Sequence, residues 1–353
     1  MKPGITRRTR TALPGFLFKT FSCLCLGMSA TVAAPPIGDL PASTNAFPST
    51  TPGGLTEGSL TVGGVTRDLL IYKPASAGAS PPMLIFFSGT GATLGWNTAD
   101  EMGRGAIVDF AETNGAVVVF PMPLTQTRGD WDNHDPGDIY WETATGDAPS
   151  SPPSSNPDTN PDLAFTRAII TEATSNTNYH VDPNRVFTNG FSNGAFFSYF
   201  AATVLRDRIA GFALTGGGLV LSNTTAGTPT QCDSLPFSGP PATRSCGSVG
   251  AGWTQGVTCV SAGAVARPIA PVTGMPPVYV EANDNDHDVP YPHACNLFAN
   301  LPPGTPNEIR VVDAPGENGH FVNEGYLQRS WDFMINAGGG TPPDALFANG
   351  FES

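Results

Sequence analysis

Three residue types that together perform acyl transfer stand in this chain in the order serine, acid, histidine. The serine is Ser192, set in Gly190-Phe191-Ser192-Asn193-Gly194. The residues before it, Val186 to Asn189, are rich in β-branched and aromatic types, and those after it read as a helix. A G-x-S-x-G match between strand and helix is a candidate nucleophile elbow. The turn is so sharp that a Cβ at either glycine position would strike the neighbouring strand or helix, so both flanks are glycine and the serine is pushed outward. In a chain with 41 glycines among 353 residues the pattern itself carries little weight. Its strand and helix context carries more.

A serine hydroxyl attacks an ester only if a base takes its proton, and the base needs a carboxylate to fix its tautomer. There are five histidines. His134 falls in an insertion, His180 precedes the elbow strand, and His287 and His293 follow a late strand. His320, in Pro315-Gly316-Glu317-Asn318-Gly319-His320, comes after the last strand and before the last helix, where a base is delivered in this chain order. The acid is expected in Asp284-Asn285-Asp286-His287-Asp288, and spacing does not choose among the three aspartates. The same run has the Asp-x-Asp-x-Asp start of a calcium loop, but its sixth position is Val289 instead of glycine and its twelfth is Cys295 instead of glutamate. Two backbone amides must face the developing oxyanion. One is expected from Asn193, the other from Thr90 in Ser88-Gly89-Thr90-Gly91. Such chemistry needs no metal and no organic cofactor.

The elements that must position these residues alternate along the chain. Strands are expected at Ser59 to Val62, Arg67 to Tyr72, Met83 to Phe87, Ala116 to Phe120, Val186 to Asn189, Gly211 to Thr215, Val278 to Glu281 and Glu308 to Val312. Helices are expected at Met102 to Asn114, Leu163 to Ser175, Asn193 to Leu205, His293 to Leu301 and Asn323 to Ala337. This alternation predicts an α/β fold, a mainly parallel sheet with helices on both faces. Residues 34–54, rich in Pro, Ser and Thr, read as a leader or linker, and the catalytic domain as residues 55–337. Two long insertions, 127–161 and 216–275, interrupt the pattern and are expected near the site, because ligands bind beyond the carboxyl ends of the strands. Trp131 and Trp141 of the first insertion are candidates for an aromatic substrate platform, with buried packing as the plainer alternative. Phe191 beside the nucleophile reads as packing.

Charge and cysteines narrow the partners. Basic residues and an apolar stretch from Phe21 to Val32 followed by small residues predict a signal peptide over residues 1–33, cut after Ala33, and hence a secreted or periplasmic protein. The apolar stretch is shorter than the about 20 residues of a membrane span, so no stable membrane anchor is expected. Five of the 17 basic residues and no acidic ones lie in residues 1–33, which leaves 12 basic against 30 acidic residues and a net charge of −18. The one lysine left is Lys73. A nucleic-acid partner is excluded for want of a basic footprint, and a neutral ester or polyester substrate is expected. Four cysteines remain, Cys232, Cys246, Cys259 and Cys295, enough for two disulfides in any of three pairings.

The stretches DPNRVFTNGFSNGAFFSYF, NDNDHDVPY, GENGHF and SWDFM resemble the secreted polyhydroxybutyrate depolymerase and feruloyl esterase group of α/β-hydrolases. The resemblance runs from about Leu55 to Ala337 with gaps at both insertions. It implies the α/β-hydrolase fold, a serine esterase acting through an acyl-enzyme, and Asp286 as the acid, since in that group an Asp five residues before the Tyr of a DxxVPY turn has this role. Members of the group usually carry His-Gly where this chain has Ser88-Gly89, so Ser88 is a departure that bears on loop support more than on a backbone donor. Polyester depolymerisation is the substrate reading it implies first, with feruloyl or acetyl ester removal from plant polysaccharide as the alternative. A peptidase and a catalytically silent binding protein are the remaining rivals. The closing GGGTPPDALFANGFES resembles a C-terminal tag of exported bacterial proteins, which implies a sorting role for residues 338–353.

Overall fold

A run of fully buried five- and six-residue strands forms the centre of the molecule, and their side chains divide by parity between two apolar clusters. The computed structural model of the chain describes residues 43–92, 104–125, 139–141, 160–218, 221–223, 266–268, 275–286, 288–289, 291–299, 301–314 and 319–338, all in the unit Ala34–Ser353. The eight strands of the main sheet are β1 (Gly54–Val62), β2 (Val65–Lys73), β3 (Met83–Phe87), β4 (Val117–Pro121), β5 (Val186–Phe191), β6 (Gly211–Thr215), β7 (Val278–Asn283) and β8 (Asn307–Val312). Their spatial order is β1-β2-β4-β3-β5-β6-β7-β8. β2 pairs antiparallel with both β1 and β4, and every pairing from β4 across to β8 is parallel. Parallel neighbours require crossovers, and helices supply them.

Among the described residues five helices cover the sheet: α1 (Arg104–Asn114), α2 (Pro161–Ser175), α3 (Asn193–Val204), α4 (Pro292–Ala299) and α5 (Tyr326–Ala337). Met83, Ile85 and Phe87 of β3 join Val117 and Val119 of β4 in the cluster that holds α2, α3 and α4. Leu84 and Phe86, with Val118 and Phe120, face the other way onto α1 and α5. This alternation is the period-2 signature of strands buried on both faces, so both sets of side chains are apolar. α3 is buried from Asn193 to Thr203, which explains why its sequence is apolar around its whole circumference. Asn160 starts α2 by accepting from the Asp162 and Leu163 amides at 2.9 and 3.0 Å, ahead of Pro161 in the first turn. The sheet order, the helices on both faces and the elbow described below make this an α/β-hydrolase fold.

The stretch expected to be a linker differs from that reading in its last part. Phe47 is buried and packs edge-on against Tyr179 at 5.5 Å, Pro48 O accepts from the Tyr179 hydroxyl at 2.6 Å, and Asn45 bonds to β1. The physical reason is one aromatic side chain that finds a hydrophobic seat beside an otherwise extended backbone. The signal peptide, the tail beyond Gly338, His134, Trp131 and Cys232, Cys246 and Cys259 lie outside the described residues. Cys295 is buried in α4 and disulfide-bonded. Among the described residues no helix is long and apolar enough to cross a membrane.

Candidate active site

Ser192 sits at the junction of β5 and α3 with φ of 54°, a left-handed conformation that costs a non-glycine residue energy. Its neighbours permit that turn. A Cβ at Gly190 would drive into the Gly194 carbonyl, and one at Gly194 into the carbonyls of Phe87 and Ser88. The Ser192 amide is held by Thr215 O at 3.1 Å, at the end of β6. The result is a half-buried hydroxyl at the carboxyl edge of the sheet, where this class of fold places its ligands.

The hydroxyl has a partner. His320 Nε2 lies 3.0 Å from Ser192 Oγ, and His320 Nδ1 lies 2.8 and 3.0 Å from the two carboxylate oxygens of Asp286. His320 is 16% and Asp286 2% exposed, so the carboxylate is dry while the imidazole keeps one open edge. Asp286 Oδ1 also accepts from the amides of Asp288 and Val289 at 3.0 and 2.8 Å, which fixes the direction of the carboxylate. Of the three aspartates that spacing left open, Asp286 is the one that reaches the imidazole. Asp284 instead accepts from the Ala314 amide at 3.2 Å, and Asp288 is exposed. The loops are tied together directly by the Gly319 amide on Asn285 O at 3.0 Å. Phe191 packs against the His320 ring at 4.8 Å, and Gly216, with φ of 59°, leaves room where a Cβ would meet His320 and Asp286.

Asn193 is the first residue of α3, so its N–H has no intrahelical acceptor and is available at the helix's positive end. Thr90 is exposed in the loop after β3, on the segment expected to give the second amide. Trp141 departs from the platform expectation. It is fully buried, stacked on Phe197 at 5.0 Å and edge-on to Phe87 at 5.1 Å, and its Nε1 donates to Ser88 O at 2.9 Å. A ring this deep offers no surface to a polymer.

Three sets of polar residues are not singled out by sequence reasoning. Asn283 Nδ2 donates to the carbonyls of Gly319 and Phe321, on both sides of His320. Buried Glu281 accepts from Arg329 at 2.7 and 3.0 Å, from the Tyr279 hydroxyl at 2.8 Å and from Asn323 at 3.0 Å. The Glu281 hydrogen bond raises the pKa of Arg329, and burial pushes Tyr279 up to about 12. Farther away, Arg67 is buried against Asp162 at 2.6 Å, and burial lowers its pKa. Their only sequence signal was polarity at inward-facing positions of β2 and β7.

A serine, imidazole and carboxylate in this geometry can transfer a proton from the hydroxyl to the imidazole while the carboxylate stabilises the resulting cation. Asp286, Asp288 and His320 also form, among the described residues, a group whose potential ligand atoms lie within 4.8 Å of one another. Two of the three are already committed to the hydrogen-bonded relay.

No protein-family model matches the sequence. A stretch of 166 residues is 24% identical to the bifunctional acetylxylan esterase/xylanase XynS20E of Neocallimastix patriciarum, covering 47% of this chain and 20% of that protein. The chain thus matches about a fifth of that relative's length. Among solved structures, acetyl xylan esterase 1 from Thermoanaerobacterium sp. JW/SL YS485 is similar with a TM-score of 0.48 and 15% identity, over 85% of this chain and 87% of that one. A ferulic acid esterase is similar with a TM-score of 0.47 and 12% identity, over 81% of this chain and 98% of that one.

Proposed function

We propose that this chain is an exported serine carboxylic-ester hydrolase that removes acetyl or feruloyl groups from plant polysaccharide. The observation that carries the reaction is the unbroken relay from Ser192 Oγ through His320 to Asp286, with links of 3.0 and 2.8 Å. His320 accepts the hydroxyl proton as Ser192 attacks the ester carbonyl, and Asp286 stabilises the imidazolium. The amides of Asn193 and Thr90 hold the oxyanion. His320 then protonates the departing alcohol, and the acyl group stays on Ser192. Water, deprotonated by His320, releases the acid and restores the serine.

The relative matched over 166 residues carries acetylxylan esterase in its name, which favours an esterified glycan. A neutral substrate also suits a chain with 30 acidic residues and few basic ones. Polyester depolymerisation, the reading that the motif resemblance put first, becomes the second reading because the matched relative does not support it. Export by residues 1–33 and a sorting role for the tail belong to the same proposal. Assaying acetylated xylan, feruloylated xylan and polyhydroxybutyrate side by side tests it. Release of acetate or ferulate with the polyester untouched supports the glycan reading, and the reverse replaces it by the polyester one.

A further inference from the structure

Two amides can share one oxyanion only if the segments that carry them are held at a fixed separation, because misplacement of a donor forfeits most of its effect. Here the segments are unrelated in sequence. One is the start of α3 at Asn193, the other is the loop 88–91 after β3.

One residue grips both. Trp141 N donates to Asn193 Oδ1 at 2.7 Å, and Asn193 Nδ2 donates back to Trp141 O at 3.2 Å. This two-bond ring fixes the side chain, and with it the backbone, of the residue after the nucleophile. From the other end of the same tryptophan, Nε1 donates to Ser88 O at 2.9 Å. The same short segment makes a further tie, since the Gly91 amide donates to Ile139 O at 2.7 Å. The ring cannot drift, for it lies stacked on Phe197, edge-on to Phe87 and 5.9 Å from the buried Arg67 guanidinium. Ser88 is itself fully buried, so its carbonyl would lose its hydrogen bond without gaining water if the indole donor were removed.

We propose that Trp141 is a positioning residue for the oxyanion hole, setting the distance between Asn193 and the loop 88–91 through its main chain at one end and its indole N–H at the other. The proposal rests on the serine-esterase reading of Ser192. It accounts for the choice of tryptophan, because phenylalanine could fill the same space but could not donate.

The test removes the donor and keeps the ring. Trp141→Phe, and the wild-type chain carrying the benzothiophene analogue of tryptophan at this position, are compared with wild type on p-nitrophenyl acetate. Active sites are counted by a fluorophosphonate probe and thermal midpoints are recorded. The expected result is a kcat per active site lower by about tenfold or more, KM within about twofold, and a boronic-acid inhibitor weakened by a similar factor as kcat. The benzothiophene form keeps the shape and should melt near the wild-type temperature, so its lost turnover cannot be assigned to unfolding. Wild-type kcat per active site in that form overturns the positioning role and leaves the esterase reading intact. An unmodified chain inert to both ester and probe overturns the esterase reading, and the positioning role with it.

Discussion

Asn283 holds His320 from both sides: its Nδ2 donates to the carbonyls of Gly319, at 2.5 Å, and Phe321, at 3.0 Å. Its own Oδ1 accepts from Asn323, which also donates to Glu281. The loop that carries His320 is thus anchored to the end of β7, the strand that also leads into Asp286. Asn283→Ala should lower kcat by about tenfold to a hundredfold through a displaced imidazole, while KM changes little. Steady-state kinetics with active-site titration checks this, and an unchanged kcat would contradict it.

Asp286 meets the His320 imidazole at 2.8 and 3.0 Å through its two carboxylate oxygens. Asp286→Asn should therefore cost about 10²- to 10⁴-fold in kcat, because an amide there favours the wrong tautomer of His320. Asp288→Asn, at an exposed side chain, should stay within about twofold of wild type. Parallel kinetics on the two variants decides the matter, and equal losses would reopen the assignment of the acid.

The Arg67–Asp162 pair joins β2 to the start of α2 with both side chains buried. Arg67 also donates to Met122 O at 2.8 Å and lies 4.4 Å from the Phe165 ring. Asp162→Ala would strand a buried guanidinium and should destabilise the fold by about 3–5 kcal/mol. Replacing both partners by apolar residues, Arg67→Met with Asp162→Leu, should cost clearly less. Urea unfolding of the single and double variants is the measurement, and a double variant worse than the single one would contradict it.

Burial holds the His293 imidazole neutral and lowers its pKa from 6.5 to about 4. Between those values the unfolded chain binds a proton that the folded chain does not, so stability falls as pH drops from 6.5 toward 4. His293→Gln should show a shallower decline of the urea midpoint over that window. The residue as a whole is half-buried, so the slopes are the quantity to compare. Equal slopes in the two proteins would remove His293 from the acid response.

Much of this architecture is legible in the sequence, and for identifiable reasons. β3 and β6 fall at Met83–Phe87 and Gly211–Thr215 as their uninterrupted apolar runs predict. β5 runs two residues past the expected Asn189, to Phe191, because the strand continues into the elbow itself. α5 starts at Tyr326 and not at the expected Asn323, whose side chain is engaged with Glu281 and Asn283. Ser192, His320 and the run Asp284 to Asp288, which the structure brings together, could be singled out because glycine-rich turns and chain order constrain them. The contacts of Trp141 with Asn193 and of Asn283 with the His320 loop could not, since the partners lie 52 and 38 residues apart and no local pattern marks such contacts.

The most direct test of the account compares the wild-type chain from Ala34 onward with Ser192→Ala on p-nitrophenyl acetate. The predicted result is measurable turnover in the wild type and a loss of about 10³- to 10⁶-fold in the variant at an unchanged melting temperature. Turnover that survives the substitution, or none in the wild type, would contradict Ser192 as the nucleophile and the esterase with it.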